Sequence, residues 1–124
     1  MKLEELESSL PNGFHDAILR AIHIDYVTAS ASLVLDVDVG EVKANEDRYR
    51  RARVNLSGLL FFSIESPERL KDLWPPDGLM IDAGPGRRSE VPPSPDSAFV
   101  HWFYVVAWNS FIHVAAHEAS ISWE

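Results

Sequence analysis

The stretch Ala98-Phe99-Val100-His101-Trp102-Phe103-Tyr104-Val105-Val106-Ala107-Trp108-Asn109-Ser110-Phe111-Ile112-His113-Val114-Ala115-Ala116-His117-Glu118-Ala119-Ser120-Ile121-Ser122-Trp123 decides the fold. It is dense in aromatic and β-branched residues, and Asn109-Ser110 interrupts it with turn chemistry. We read strand runs over 98–107 and 111–123. A two-residue turn between them opposes Trp102 to His117, Tyr104 to Ala115, Val106 to His113 and Trp108 to Phe111. The reverse face sets His101 against Glu118 and Phe103 against Ala116. Both faces are apolar near the turn, so a helix, a loop or another chain must cover the second one. Trp102, Tyr104, Trp108 and Phe111 fall on one face, with His113 beside them. They are either a core layer or a contact patch for a ligand, a protein partner or a second copy.

Upstream, the period changes with position. Leu3, Leu6 and Leu10 have helical spacing, so residues 2–9 are predicted to form a short helix that Pro11-Asn12-Gly13 stops. From Ile18 the period becomes two: Ile22, Ile24 and Tyr26 share one face, and His23 and Asp25 the other. Thr28-Ala29-Ser30-Ala31 is a turn, and Leu33, Leu35, Val37 and Val39 alternate beyond it, making a hairpin with one dry and one wet face. Residues 40–48 read as a polar loop. Ala52, Val54 and Leu56 then alternate with Arg51, Arg53 and Asn55. Pairing across that loop places Asp36 near Arg53 and Asp38 near Arg51, with opposite charges facing each other. Gly58 suggests a bulge, and Leu59 to Ile64 is apolar on both faces, as in a central strand. Ser66-Pro67-Glu68 has the signature of a helix start, with Leu70, Leu73 and Trp74 as its buried side. Residues 79–82 form a short strand, and 84–97 a long, Pro/Gly-rich mobile loop.

Four constellations could carry chemistry. His15 and Asp16 stand side by side and could form an acid–base pocket. In an extended strand, however, neighbours point to opposite sides, so Asp16 could equally bond the turn backbone. His113 and His117 have the spacing of a helical metal site. On a strand, four residues span about 13 Å, too far for one ion, so no metal or other cofactor is expected. Arg48, Arg50, Arg51 and Arg53 could grip an anion, but Asp36 and Asp38 are better partners for Arg51 and Arg53. The fourth is the aromatic patch itself. No phosphate loop and no Gly-X-Ser-X-Gly nucleophile motif is present.

Composition narrows the class. The 124 residues suit one domain, residues 1–124, with 46% hydrophobic and 24% charged content. Net charge is −8, and residues 1–47 concentrate it, with ten acids against three bases. That balance argues against nucleic-acid binding and suits a basic protein partner. The absence of cysteine excludes thiol chemistry and fits a reducing cytoplasm. The acidic start is unlike a signal peptide, and no apolar run approaches membrane length.

Gly13-Phe14-His15-Asp16-Ala17 leading into a hairpin, with Phe111-Ile112-His113-Val114 and Ala119-Ser120-Ile121-Ser122 at the far end, resembles small bacterial proteins of uncharacterised function. Among these are immunity proteins of polymorphic-toxin systems, which carry a Phe-His-Asp-Ala lead-in to their first strand. The resemblance covers the start and end of the chain. It implies an α+β domain that binds and neutralises a toxin without catalysis. The expected fold is therefore α+β: an antiparallel sheet of about five or six strands with two short helices. The expected role is non-enzymatic binding, with self-association through the C-terminal hairpin as one mode. A small enzyme or small-molecule binder with its pocket at His15 and Asp16 is the alternative.

Overall fold

The computed structural model describes residues 1–40, 48–88 and 91–124. Within them the regular secondary structure is almost entirely β. A helix α1 (Leu3–Ser8) precedes strands β1 (Ala17–Asp25), β2 (Ser30–Asp38), β3 (Tyr49–Ser57), β4 (Phe61–Ile64), β5 (Leu79–Pro85), β6 (Phe99–Val105), β7 (Ser110–Ala116) and β8 (Glu118–Trp123). All eight strands form one sheet in the order β4-β7-β6-β5-β1-β2-β3-β8, and every pairing is antiparallel.

The two edge strands are continuations of inner ones. Only His117 separates β7 from β8, and Gly58 to Leu60 separate β3 from β4. The chain thus has two long strands, 49–64 and 110–123, each bent at one point. They pair with each other on both sides of the bend, β3 with β8 and β4 with β7. The sheet folds over on itself at that corner and wraps one core. Gly58 makes the bend possible: its φ is +61°, and a Cβ there would lie 2.9 Å from the His117 side chain. The His117 N–H donates to the Ser57 carbonyl at 3.1 Å and locks the corner.

The inner face carries the alternating residues. Leu33, Leu35 and Val37 of β2, Ala52, Val54 and Leu56 of β3, Phe103 and Val105 of β6, and Ile112 and Val114 of β7 are all buried. Helix α1 closes the core opening between β6 and β8. Leu3 and Leu6 point inward, and the Glu7 carboxylate reaches His101 Nε2 of β6 at 3.3 Å.

The expected α+β fold with two helices and five or six strands is therefore corrected: among the described residues the chain forms an eight-stranded antiparallel sheet with one short helix. The predicted second helix does not form after Ser66-Pro67-Glu68. Its backbone groups are taken by the β6–β7 turn. The Glu68 and Arg69 N–H groups donate to the Trp108 carbonyl, and the Trp108 indole donates to the Leu73 carbonyl at 2.7 Å. A helix this short is marginal in water and yields to such bonds. Leu70 and Trp74 are left exposed. The run 59–64, expected in the centre of a sheet, is the edge strand β4. The strand expected at 79–82 extends to Pro85. Of the loops, residues 41–47 of the 40–48 segment and residues 89 and 90 of the 84–97 segment lie outside the described residues.

Two registers also differ from expectation. In the β2–β3 hairpin Asp36 faces Arg51, Asp38 faces Tyr49, and Arg53 faces Val34. The shift is two residues, so inward and outward faces are unchanged. It lets Asp36 accept from Arg51 Nε at 2.5 Å, and the buried Asp38 take both Arg48 Nη2 (2.6 Å) and the Gly40 N–H. The Asp36 hydrogen bond holds the Arg51 guanidinium above its ordinary pKa. Arg53 turns to Ser32 instead. In the β6–β7 hairpin the connection is four residues, 106–109, with Asn109 at φ +49°, so Trp102 faces His113 and Tyr104 faces Phe111. His101 faces Val114, and Glu118 lies on another strand.

Two stability predictions follow from this geometry. Gly58→Ala is expected to cost about 1–2 kcal/mol from the left-handed backbone alone, plus the displacement of His117, measured by denaturant unfolding. The second concerns the β1–β2 turn, where the Thr28 and Val27 N–H groups donate to the Asp25 carboxylate and hold its pKa below the ordinary value. A lowered folded pKa stabilises above the unfolded value, and the gain disappears as pH falls through the folded one. Asp25→Asn is thus expected to melt below wild type at neutral pH, and the gap is expected to close in acid.

Candidate functional site

The segment Asn12-Gly13-Phe14-His15-Asp16 is a compact turn, and its shape is set by three anchors. Asn12 Nδ2 donates to the Asp38 and Gly40 carbonyls at 3.0 and 2.9 Å. Phe14 is driven into the core, 6.4 Å from the Phe103 ring centroid. The Tyr49 hydroxyl donates to the Asp16 carbonyl at 3.1 Å. Burial, and then the charges of Asp38 and Asp16, push the Tyr49 phenol above its ordinary pKa. Gly13 and Asp16 both adopt positive φ, +56° and +59°.

That conformation brings His15 and Asp16 together, because Asp16 is not in extended backbone. His15 Nε2 lies 3.5 Å from Asp16 Oδ2, and Nδ1 lies 3.5 Å from Asp82 Oδ1. Asp82 reaches His15 because β5 pairs with β1 at the start of that strand, Ala17 opposite Ile81. The alternation rule for strands could not find this contact, since the turn and the neighbouring strand supply it. The imidazole is 67% exposed, so it stands at a rim and not in a buried pocket.

Asp82 also lines a cleft of about 660 Å³ on the outer face of β5, β6 and β7. Its floor is aromatic. Trp102 stands edge-on to Phe111 (5.8 Å, 83°), Tyr104 is tilted against Phe111 (5.1 Å, 51°), and His113 stacks on Phe111 (6.0 Å, 22°). Glu65, just past β4, closes one side. Its carboxylate accepts the Phe111 N–H at 2.8 Å and lies 3.2 Å from His113 Nε2. Pro85, Gly86, Arg87 and Val91 form the other wall. Gly84 on β5 is required beneath Trp102: a Cβ there would lie 2.6 Å from the indole Cζ2.

Of the aromatic residues singled out in the sequence, Trp102, Tyr104, Phe111 and His113 thus meet in this cleft, and Trp108 does not. The four-residue turn breaks the alternation at Trp108, which folds back over the end of the sheet. It is buried there against Trp74 (5.5 Å, 85°). A smaller cavity of about 410 Å³ opens beside it, between the 74–78 segment and Leu19, Ile22 and Ile112. Asp36 and Arg51, with Asp38 and Arg53, lie on the β2–β3 hairpin, and neither they nor that hairpin line the aromatic cleft. Glu65, Asp82 and Arg87 had no signal in the sequence, because only sheet pairing brings them to the aromatic row. Among the described residues no three metal-ligating side chains gather to hold an ion. His117 sits at the corner by Gly58, away from His113.

Comparison of the chain with family models, with curated proteins and with solved structures finds no match. No helix is long and apolar enough to cross a membrane among the described residues.

Gly84→Ala is expected to lift the Trp102 ring off β5. The measurement is a shift of the Trp102 indole resonance, with the resonances of buried Phe103 and Ile112 unmoved.

Proposed function

We propose that this chain is a non-enzymatic binding protein, of the immunity type that neutralises a toxin by occupying it, and that it binds through the aromatic cleft. The observation that carries the reading is three touching aromatic rings on the outward side of a sheet whose core is already full. Phe111 is 36% exposed there. Aromatic residues in such positions dominate protein interfaces, where they supply large rigid contact area at small entropic cost. The concavity suits a protruding segment of another protein better than a second copy of the same face, since two hollows do not interlock. The net charge of −8 favours a basic partner and would speed the encounter.

A second reading keeps a specific observation in its favour. His15 lies within 3.5 Å of two carboxylates beside the cleft, as an oriented general base would. In that case the chain is a small enzyme or small-molecule binder.

Co-expression separates the two. Cells producing a toxin encoded beside this gene are expected to grow when the chain is present. The Trp102→Ala/Phe111→Ala variant, checked for folding by circular dichroism, is expected to lose protection, each truncation weakening binding by on the order of 2 kcal/mol. A double variant that protects like wild type overturns the cleft as the binding surface. Failure of the wild-type chain to protect overturns the immunity reading. His15→Ala is expected to leave protection intact; its loss would favour the second reading.

A further inference from the structure

Resting on the cleft as the binding surface, we propose that it recognises arginine side chains on a basic polypeptide segment. Asp82, Tyr104 and Phe111 are consecutive partners across β5, β6 and β7, and the Glu65 N–H bonds the Phe111 carbonyl on the next strand. These four residues make one row, aromatic in the middle and acidic at both ends. The row spans three strand spacings, about 14 Å.

Each part of the row has a use for a guanidinium. Trp102 and Phe111 meet edge to face at 83°, and a planar cation is attracted by the quadrupole of a ring face lining the cleft. A sugar, by contrast, stacks on a flat platform, and these rings are not coplanar. The flanking carboxylates have acceptor capacity left. Asp82 Oδ1 takes the Ala83 N–H and faces His15, while Oδ2 has no hydrogen bond among the described residues. Each Glu65 oxygen has one partner, and a carboxylate accepts about four bonds in all. A fork of N–H donors fits such a carboxylate in two places at once, which an ammonium cannot do. Arg87 stands on the wall opposite Glu65. Among the described residues the lining holds two carboxylates, Glu65 and Asp82, and one guanidinium, Arg87, and Asp16 adds a third carboxylate at the rim.

The test is a nuclear magnetic resonance titration of the whole chain with three short probes: a glycine peptide bearing two arginines, its glutamate counterpart, and cellotetraose. The arginine peptide is expected to shift the Trp102 indole and the Tyr104 and Phe111 amides. Its affinity is expected to fall about tenfold in Asp82→Asn, to fall again as salt rises, and to be retained in part by Trp102→Phe but not by Trp102→Leu. Asp82→Asn is the primary variant because Glu65→Gln also disturbs the Phe111 N–H and His113. Equal binding of the glutamate peptide overturns the inference. So does silence of the arginine peptide at these residues, and so does an affinity unchanged in Asp82→Asn. Saturation by cellotetraose alone would leave the cleft a recognition site and overturn only its cation chemistry. The protection assay judges the proposed function separately, since it depends on the partner and not on any probe.

Discussion

The contact of Gly58 with His117 governs this molecule. Two long strands run through that point, and Gly58, with no side chain and a left-handed backbone, leaves room there for the His117 side chain. Bending lets the C-terminal strand pair first with β4 and then with β3. Without it the 110–123 strand would stay straight and present a long apolar edge, the kind that invites aggregation. With it, both would-be edges become the two arms of one fold, and the inner face closes over Leu35, Val54, Phe103 and Val114.

Once the inner face is closed, outward aromatic residues have no core left to join. Trp102, Tyr104 and Phe111 are therefore left as a patch, and the neighbouring segments shape it into a cleft. Gly84 contributes by its missing Cβ, Glu65 by gripping the Phe111 backbone and His113, and the chain after β5 by forming a wall. The same closure places the turn at His15 and Asp16 beside Asp82. Phe14 anchors that turn from inside, so its polar residues are held outward at fixed positions.

Trp108 shows how one local choice propagates. As part of a strand it would have belonged to the aromatic face. As a turn residue it folds over the sheet end, meets Trp74, and draws the 65–78 segment across through its own carbonyl and indole. That segment carries helix-start chemistry at Ser66-Pro67-Glu68, yet its backbone bonds go to the hairpin. Local propensity was outweighed by tertiary hydrogen bonds, the common fate of short helical signals.

Much of the strand layout was legible in the residues alone. The helix at the N-terminus and the alternation in β2 and β3 follow from periods of 3.6 and 2, which are properties of a single segment; in β1 a bulge between Leu19 and Ala21 interrupts the alternation, and Tyr26 lies exposed beyond the strand. The placing of Trp102 and Tyr104 on one face follows likewise, and Phe111 joins them through the β6–β7 register. Registers, the corner and the cleft were not legible. A register slip of two keeps every face in place, so hydrophobic pattern cannot tell Asp36–Arg51 from Asp36–Arg53; the side-chain reach of Arg48 and Arg51 decided it. The sequence by itself determined which residues seek the interior, because burial preference is local chemistry. Only the tertiary structure decided that Asp82 and Glu65 flank the aromatic row and that His15 touches two carboxylates. Asp82 and Glu65 lie far along the chain from the residues they meet, and strand pairing brings them close, while the left-handed turn at Asp16 brings its carboxylate to the neighbouring His15.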